Sequence, residues 1–276
     1  WQDLLATVEW GGVRLWHNNE GPLADVSEDA GLAEELGWWM SLDTGDFDND
    51  GDIDFFAGNW GLNTKYKASV EKPVNIYAGD FGDGKYHIVE SCTKQGNVVP
   101  VRGLSCSSDA MPFIRERFPT YHAFASATLE ELYTPEVLEG TTRLEVNTLA
   151  SAVFLNDGKG HFTRHAAPDF AQLAPVMSVD VADVDNDGNM DCLLGQNFYL
   201  PQRETGRDNG GLCLLLKGKG DGSFDQLWPA ESGISVRVDV RQSAVTDING
   251  DGIKDWLVVP NSGAPQVLLR VPAPAE

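Results

Sequence analysis

An aspartate-rich loop of nine residues occurs three times in the chain, and it limits the possible folds more than any other feature. The copies are Asp46–Asp54, Asp183–Asp191 and Asp247–Asp255. Two carboxylates 4 Å apart repel each other by about 4 kcal/mol at an effective dielectric constant of 20. We therefore expect a hard divalent cation to hold each loop closed.

Comparison of the copies indicates which positions bind the cation. Positions one, three, five and nine carry aspartate with the single exception of Asn249, and position six is always glycine, which permits a sharp left-handed turn. The side chain at position seven varies among the copies, which suggests that the backbone carbonyl of this residue is the ligand. The predicted ligands are Asp46, Asp48, Asp50, Asp52 and Asp54; Asp183, Asp185, Asp187, Asn189 and Asp191; and Asp247, Asn249, Asp251, Ile253 and Asp255. Oxygen donors without His or Cys favour Ca²⁺ over zinc or copper, so we predict about three calcium sites.

An EF-hand is the main alternative for such a loop. It needs a bidentate glutamate at position twelve and a helix on each side. Position twelve is Ala57, Leu194 and Val258 in the three copies, and each loop continues into an apolar run that is typical of a buried strand. The loops are therefore predicted to connect strands.

The pattern Asp-x-Asp/Asn-x-Asp-Gly-x-x-Asp resembles the FG-GAP repeat, which also occurs in bacterial VCBS-repeat proteins and is similar to the calcium loops of integrin α-subunit propellers. The resemblance implies an all-β fold, a β-propeller of four-stranded blades in which the loop joins the first two strands of a blade. Lys254 at position eight and Asn249 at position three depart from the pattern. We expect the third site to bind calcium most weakly.

A second periodic element supports repeats of this kind. Hairpin turns are predicted at Glu20-Gly21, Asp83-Gly84, Asp157-Gly158 and Asp221-Gly222, and two of them follow a calcium loop at almost the same distance. This spacing predicts a complete blade from Trp39–Asp43, Asp54–Gly58, Val74–Ala78 and Tyr86–Ser91. A further unit is expected to have lost its loop to a helical insertion at about 94–147, where Thr128 and Glu131 form a capping box.

The terminal units are predicted to be incomplete. About four to five blade units within a single domain, 1–276, are fewer than the seven in which the family usually closes. The ends either pair into a composite blade or leave an arc of a larger ring, and we favour a fragment or a chain completed by a partner. The chain begins at Trp1, as expected for a processed or partial sequence. Open terminal blades would permit homo- or hetero-oligomers.

Composition limits the partners and the location. The formal net charge of −22 argues against nucleic acid, whose binding depends on Lys and Arg. No apolar stretch reaches the roughly 18 residues of a transmembrane segment. Extracellular calcium modules bind with dissociation constants of about 10⁻⁴ to 10⁻³ M, so we predict an extracellular, cell-surface or periplasmic location.

Four cysteines fit an oxidising compartment. Cys92 and Cys106 flank the start of the insertion and are predicted to form a disulfide. Cys192 and Cys213, on neighbouring strands, are predicted either to form a second disulfide or to remain two buried thiols.

The insertion also concentrates positive charge and aromatic rings. Arg115, Arg117, Tyr121 and His122 are candidates for binding an acidic glycan or a partner's carboxylates. Alternatively, these arginines pair with acidic residues of the protein itself.

The leading functional hypothesis is a non-enzymatic, calcium-binding module for protein or glycan interaction at the cell surface, with no catalytic residue. The sequence has no Gly-x-Ser-x-Gly elbow, phosphate loop or zinc motif. One alternative is a calcium-dependent polysaccharide lyase or hydrolase that uses His122, Tyr121 and Arg115. Another is a structural subunit of a surface assembly.

Overall fold

The computed structural model describes residues 2–201 and 206–271, and the chain divides into two compact units. The sheet unit is formed by Trp1–Thr64 and Leu149–Glu276, and the inserted unit by Lys65–Thr148.

The described part of the sheet unit contains a succession of antiparallel sheets. The first has the order β1-β3-β4, formed by Leu4–Ala6, Arg14–His17 and Ala24–Asp25, and β2 (Glu9–Gly11) pairs separately with β5 (Gly37–Trp38). The second has the order β13-β12-β7-β6, formed by Phe162–Ala166, Ala152–Asn156, Asp54–Gly58 and Ser41–Gly45. The third has the order β14-β15-β16-β17, formed by Val176–Ala182, Asp191–Gln196, Leu214–Gly218 and Phe224–Gln226. The fourth has the order β18-β19-β20, formed by Val240–Thr246, Asp255–Pro260 and Gln266–Leu268.

Alternation along the strands produces separate apolar layers between successive sheets. In β7, Phe55 belongs to a cluster with residues of the first sheet, whereas the adjacent Phe56 belongs to a cluster with residues of the third. Because neighbouring side chains of a strand point to opposite faces, β7 is buried on both sides. After Asp54, the strand is therefore a continuous apolar run instead of alternating with polar residues.

The first strands of the later sheets, β6, β14 and β18, lie next to one another. The Ser41 hydroxyl donates to the Val176 carbonyl oxygen at 2.8 Å, and the Ser178 and Ser243 hydroxyls are 2.7 Å apart. Gly58 and Gly195 allow this approach, since a Cβ atom on either would lie within 2.5 Å of a neighbouring side-chain or backbone atom. The first strands of the second, third and fourth sheets thus lie side by side, an arrangement like that of propeller blades.

The inserted unit has its own sheet and core. Its sheet has the order β10-β9-β8-β11, formed by Asn97–Pro100, Tyr86–Lys94, Val74–Asp80 and Thr142–Val146. Its helices are α1 (Leu104–Ala110), α2 (Phe113–Arg117), α3 (Tyr121–Ser126), α4 (Leu129–Tyr133) and α5 (Pro135–Glu139). These helices lie within the predicted stretch 94–147, and the Thr128–Glu131 capping box begins α4. Among the described residues, no helix is long and apolar enough to cross a membrane.

Short helical segments complete the sheet unit. A 3-10 helix spans Asp169–Gln172 and α6 spans Pro229–Ser232.

The predicted composition of the first complete blade is wrong. Val74–Ala78 and Tyr86–Ser91 form strands, but they pair in the sheet of the inserted unit. The chain leaves the sheet unit after β7 and returns at Leu149 to form β12, which pairs with β7. The long interval between the first and second loops therefore contains an interruption of one blade, and the predicted unit that had lost its loop does not exist.

The predicted disulfide between Cys92 and Cys106 is not formed, since all four cysteines are free thiols. Cys92 lies in β9, opposite Val99, and Cys106 lies in α1. Cys192 belongs to the apolar cluster between the second and third sheets, whereas Cys213 belongs to the cluster between the third and fourth. The second pair thus lies on opposite faces of one sheet, and both residues are the buried thiols of the alternative prediction.

Candidate calcium loops

The three aspartate loops occupy equivalent places in successive sheets. Each loop joins the first strand of its sheet to the second: β6 to β7, β14 to β15, and β18 to β19. This is the connection that the resemblance to FG-GAP repeats implied.

Aspartate at position one organises each loop from within. In the first loop, the Asp46 carboxylate accepts the backbone N–H groups of Asp50 at 3.2 Å and Gly51 at 3.0 Å. Asp183 and Asp247 accept the corresponding N–H groups. The glycine that donates has φ between 83° and 95° in the three loops, a left-handed conformation that favours glycine.

Aspartate at position nine fastens each loop to the rest of its sheet. Asp54 is fully buried, and its two carboxylate oxygens accept backbone N–H groups from Phe47 at 2.9 Å and Asn156 at 2.7 Å. In the same way, Asp191 accepts from Val184 and Gly218, and Asp255 accepts from Ile248 and Arg270. Asn156, Gly218 and Arg270 lie at or just beyond the end of the third strand of each sheet.

This structural role was missing from the sequence prediction, which treated position nine as a ligand. The signal for it is an invariant aspartate directly before a buried apolar strand, because a carboxylate there needs hydrogen-bond donors. Each oxygen keeps a further lone pair. The ligand assignment of Asp54, Asp191 and Asp255 therefore stays a prediction.

The first loop has the donor set that a hard cation requires. Oxygen atoms of Asp46, Asp48 and Asp50 lie within 4.8 Å of one another. Asp48 Oδ1 is buried and has no hydrogen-bond partner. Burial, together with the charges of Asp50 and Asp46, raises the pKa of the Asp48 carboxyl. A buried carboxylate oxygen without a donor is costly unless a cation compensates it, so the residues of this loop fit calcium.

In the second loop, carboxylate oxygens of Asp183, Asp185 and Asp187 also lie within 4.8 Å of one another. Here, however, a positively charged side chain from the neighbouring strand β16 contacts the loop. The Lys217 ammonium forms an ion pair with Asp185 and another with Asp187, the latter at 3.1 Å. Both contacts raise the pKa of Lys217. The pKa of Asp187 is lowered, first by the N–H group of Asn189 and then by Lys217.

The third loop has fewer carboxylates. The Asn249 side-chain amide donates to Asp251 at 2.9 Å, and the Gly252 N–H group is the main cause of the lowered pKa of Asp247. Ile253 and the other position-seven residues, Asp52 and Asn189, were predicted to offer backbone carbonyls. That assignment, and the weakness of the third site, stay predictions.

The candidate binding residues of the inserted unit are partly brought together. The Arg115 guanidinium lies 5.9 Å from the centre of the exposed Tyr121 ring, whose hydroxyl is 2.9 Å from Ser105 Oγ. Arg117 instead donates to the carbonyls of Leu132 and Glu131.

Other charged side chains of the inserted unit follow the alternative prediction of internal pairing. Arg102 pairs with Glu90 at 3.0 Å, and Arg143 pairs with Glu145. His122 is exposed on α3. The structure thus brings Arg115 and Tyr121 together, and the exposed His122, which follows Tyr121 in α3, remains a candidate.

Comparison with known families agrees with the geometry of the loops. The family model FG-GAP-like repeat matches residues 1–57 and 145–194. These two segments are similar to FG-GAP-like repeats. The gap between the two matched segments coincides closely with the inserted unit, Lys65–Thr148, so the FG-GAP repeats continue through the interrupted second sheet. No curated protein sequence matches the chain.

Proposed function

We propose that this FG-GAP repeat chain is a calcium-binding β-propeller, or a segment of one, that acts outside the cytosol as a non-enzymatic protein- or glycan-interaction module. The observation that carries the proposal is the first loop, where clustered carboxylates include the buried, unpartnered Asp48 Oδ1. Equivalent placement of the other two loops supports a shared purpose. Calcium would stabilise the connection between the first two strands of a blade.

An extracellular, cell-surface or periplasmic location follows from the expected affinity. Sites of extracellular modules with dissociation constants of about 10⁻⁴ to 10⁻³ M fill at millimolar calcium and stay empty in a resting cytosol. The first loop, with its unpartnered buried oxygen, would then be a structural element that is complete only where calcium is abundant.

The patch of Arg115, Tyr121 and His122 is the proposed binding surface for an acidic glycan or a partner's carboxylates. Tyr121 is 63% exposed, and Arg115 is exposed beside it. A guanidinium binds carboxylates through two parallel hydrogen bonds, and an adjacent aromatic ring offers a face for stacking. The chain has 20 Lys and Arg against 42 Asp and Glu, so an anionic ligand needs direct contact with an exposed cation such as Arg115 to offset repulsion by the net charge.

The test uses calcium-loaded protein and a panel of polysaccharides with and without uronic acids or sulfates. Binding to acidic members that falls at least tenfold in Arg115→Ala, about 1.4 kcal/mol, would support the proposed surface. The matched control is Arg143→Ala, because Arg143 is paired with Glu145. Equal binding by the Arg115 variant would refute the surface. Appearance of unsaturated products would instead favour the lyase alternative.

The alternative of a surface-assembly subunit is supported by the fourth sheet. That sheet has three described strands where the second and third sheets have four, so no strand of the described chain pairs with the outer edge of β20. Val267 on β20 is 48% exposed. An uncovered strand edge can pair with another chain. Light scattering that shows a calcium-loaded monomer at all concentrations would argue against assembly, whereas an oligomer dissociated by Val267→Lys would support it.

A further inference from the structure

The second loop differs from the others through one residue of the neighbouring strand. Lys217 is the residue before Gly218, whose N–H group fastens Asp191. From this position its ammonium contacts the carboxylates of Asp185 and Asp187, which are two members of the clustered triad. The loop therefore has a positive charge supplied by the protein itself.

The second and fourth sheets, which carry the first and third loops, allow a direct comparison with the third sheet. The backbone N–H groups of Asn156 and Arg270 donate to the carboxylates of Asp54 and Asp255, as that of Gly218 donates to Asp191. The residues before them are Leu155 and Leu269. Lysine thus occupies a position at which the two other loops have leucine.

We propose that the Lys217 ammonium takes the place of the divalent cation in the second loop, so that this loop is closed without calcium and binds calcium much more weakly than the first. This inference rests on the proposed calcium function. A calcium ion entering the triad would have to displace Lys217 from both carboxylates. The bound ion and the displaced ammonium, both positively charged, would then repel each other.

The first loop provides the contrast within the same molecule. Its triad includes a buried oxygen without a hydrogen-bond donor, whereas the triad of the second loop is neutralised in part by Lys217. The two loops also touch, since the Asn49 side-chain amide donates to Asn189 Oδ1 at 2.9 Å. A second loop held by lysine would give the first a fixed neighbour before calcium binds.

Calorimetric calcium titration of the full chain, freed of metal with a chelator, tests the inference. Lys217→Leu introduces the residue found in the other two sheets, and Asp48→Asn weakens the first loop so that binding at the second can be measured separately. In the Asp48→Asn background, we expect Lys217→Leu to tighten calcium binding at the second loop by at least about tenfold. Lys219→Leu is the matched control. This substitution removes the same charge, but Lys219 pairs with Asp225, which lies outside the loop. It should leave calcium binding nearly unchanged.

The possible results separate this inference from the proposal on which it rests. Calcium binding at the first loop, with no tightening by Lys217→Leu, would overturn the role of Lys217 alone. Absence of calcium binding in every variant at millimolar concentrations would overturn the calcium function itself.

A second measurement needs no substitution. Amine-reactive labelling followed by mass spectrometry should show Lys217 protected relative to Lys219, both with chelator and with 2 mM calcium. Labelling of Lys217 that rises to the level of Lys219 when calcium is added would show that calcium displaces the ammonium, contrary to the inference.

Discussion

At the scale of single residues, aspartates of one motif carry out two different tasks. Asp54 is buried and accepts two backbone N–H groups, whereas Asp50 is exposed within the carboxylate cluster. Asp54→Ala would leave both N–H groups unpaired and should destabilise the sheet unit by about 2–4 kcal/mol, even in chelator. Asp50→Ala should cost less than about 1 kcal/mol in chelator but should reduce the stabilisation by calcium. Urea unfolding of both variants, with and without calcium, checks this difference, and equal losses in chelator would contradict it.

Asp180, between the third and fourth sheets, should make stability depend on pH. Its carboxylate accepts hydrogen bonds from Ser243 and from the Trp256 indole N–H group, the latter at 2.8 Å. Burial is the largest influence on its pKa and raises it. The folded protein therefore keeps the Asp180 proton to a higher pH than the unfolded chain, and the contribution to stability falls as pH rises from about 3.9 through the raised pKa.

Asp180→Asn should remove this part of the pH dependence, because the amide oxygen still accepts hydrogen bonds and carries no charge. Melting temperatures should be measured in chelator from pH 4 to pH 8. As pH rises, the melting temperature of the variant should increase relative to that of the wild-type protein. A difference between the two proteins that stays constant across this range would exclude the assigned role of Asp180.

At the scale of elements, the inserted unit should be dispensable for folding of the sheet unit. The Gly61 N–H group donates to the Leu149 carbonyl oxygen at 2.8 Å, so the chain leaves and re-enters the sheet unit at neighbouring points. Replacing Lys65–Thr148 with a flexible linker of about four residues would span the cut ends. We expect the shortened chain to keep its β-sheet circular dichroism and calcium binding. Complete loss of cooperative unfolding would show that the sheets depend on the insertion.

The same region shows what sequence reasoning can recover and what it cannot. The loops and the strands after them were predicted because each is encoded locally, by the spacing of aspartates and by an apolar run such as that of β7. The pairing of β6 with β7 was predicted, but the pairing of β12 with β7 was not, since the Asp83-Gly84 turn is a true hairpin turn between β8 and β9 that belongs to another sheet. Spacing along the chain cannot distinguish a neighbouring strand from a hairpin inside an insertion.

Contacts between side chains of adjacent strands could not be predicted from the sequence either. Cys192 lies in β15 as expected, but Cys213 directly precedes β16, and the side of the sheet on which each cysteine packs depends on the strand register. The contact of Lys217 with Asp185 depends on the same register, which a motif search within the loop does not include. The ligands of a local motif are thus predictable, and the residues that modify it from an adjacent strand are not.

At the scale of the whole molecule, a net charge of −22 opposes compaction, and calcium is expected to offset part of that repulsion. Calcium at about tenfold above the dissociation constant stabilises the folded state by about 1.4 kcal/mol per site. For a protein of this size, each kilocalorie corresponds to about 2–4 °C in melting temperature. Chelation should therefore lower the melting temperature by about 3–6 °C for one filled site, measured by calorimetry at constant 0.15 M ionic strength so that screening is equal.

Magnesium at the same concentration should restore less of the loss, because it demands stricter octahedral geometry than these loops offer. If calcium leaves the melting temperature unchanged while Asp48→Asn also has no effect, the loops stabilise the sheets through their hydrogen bonds alone.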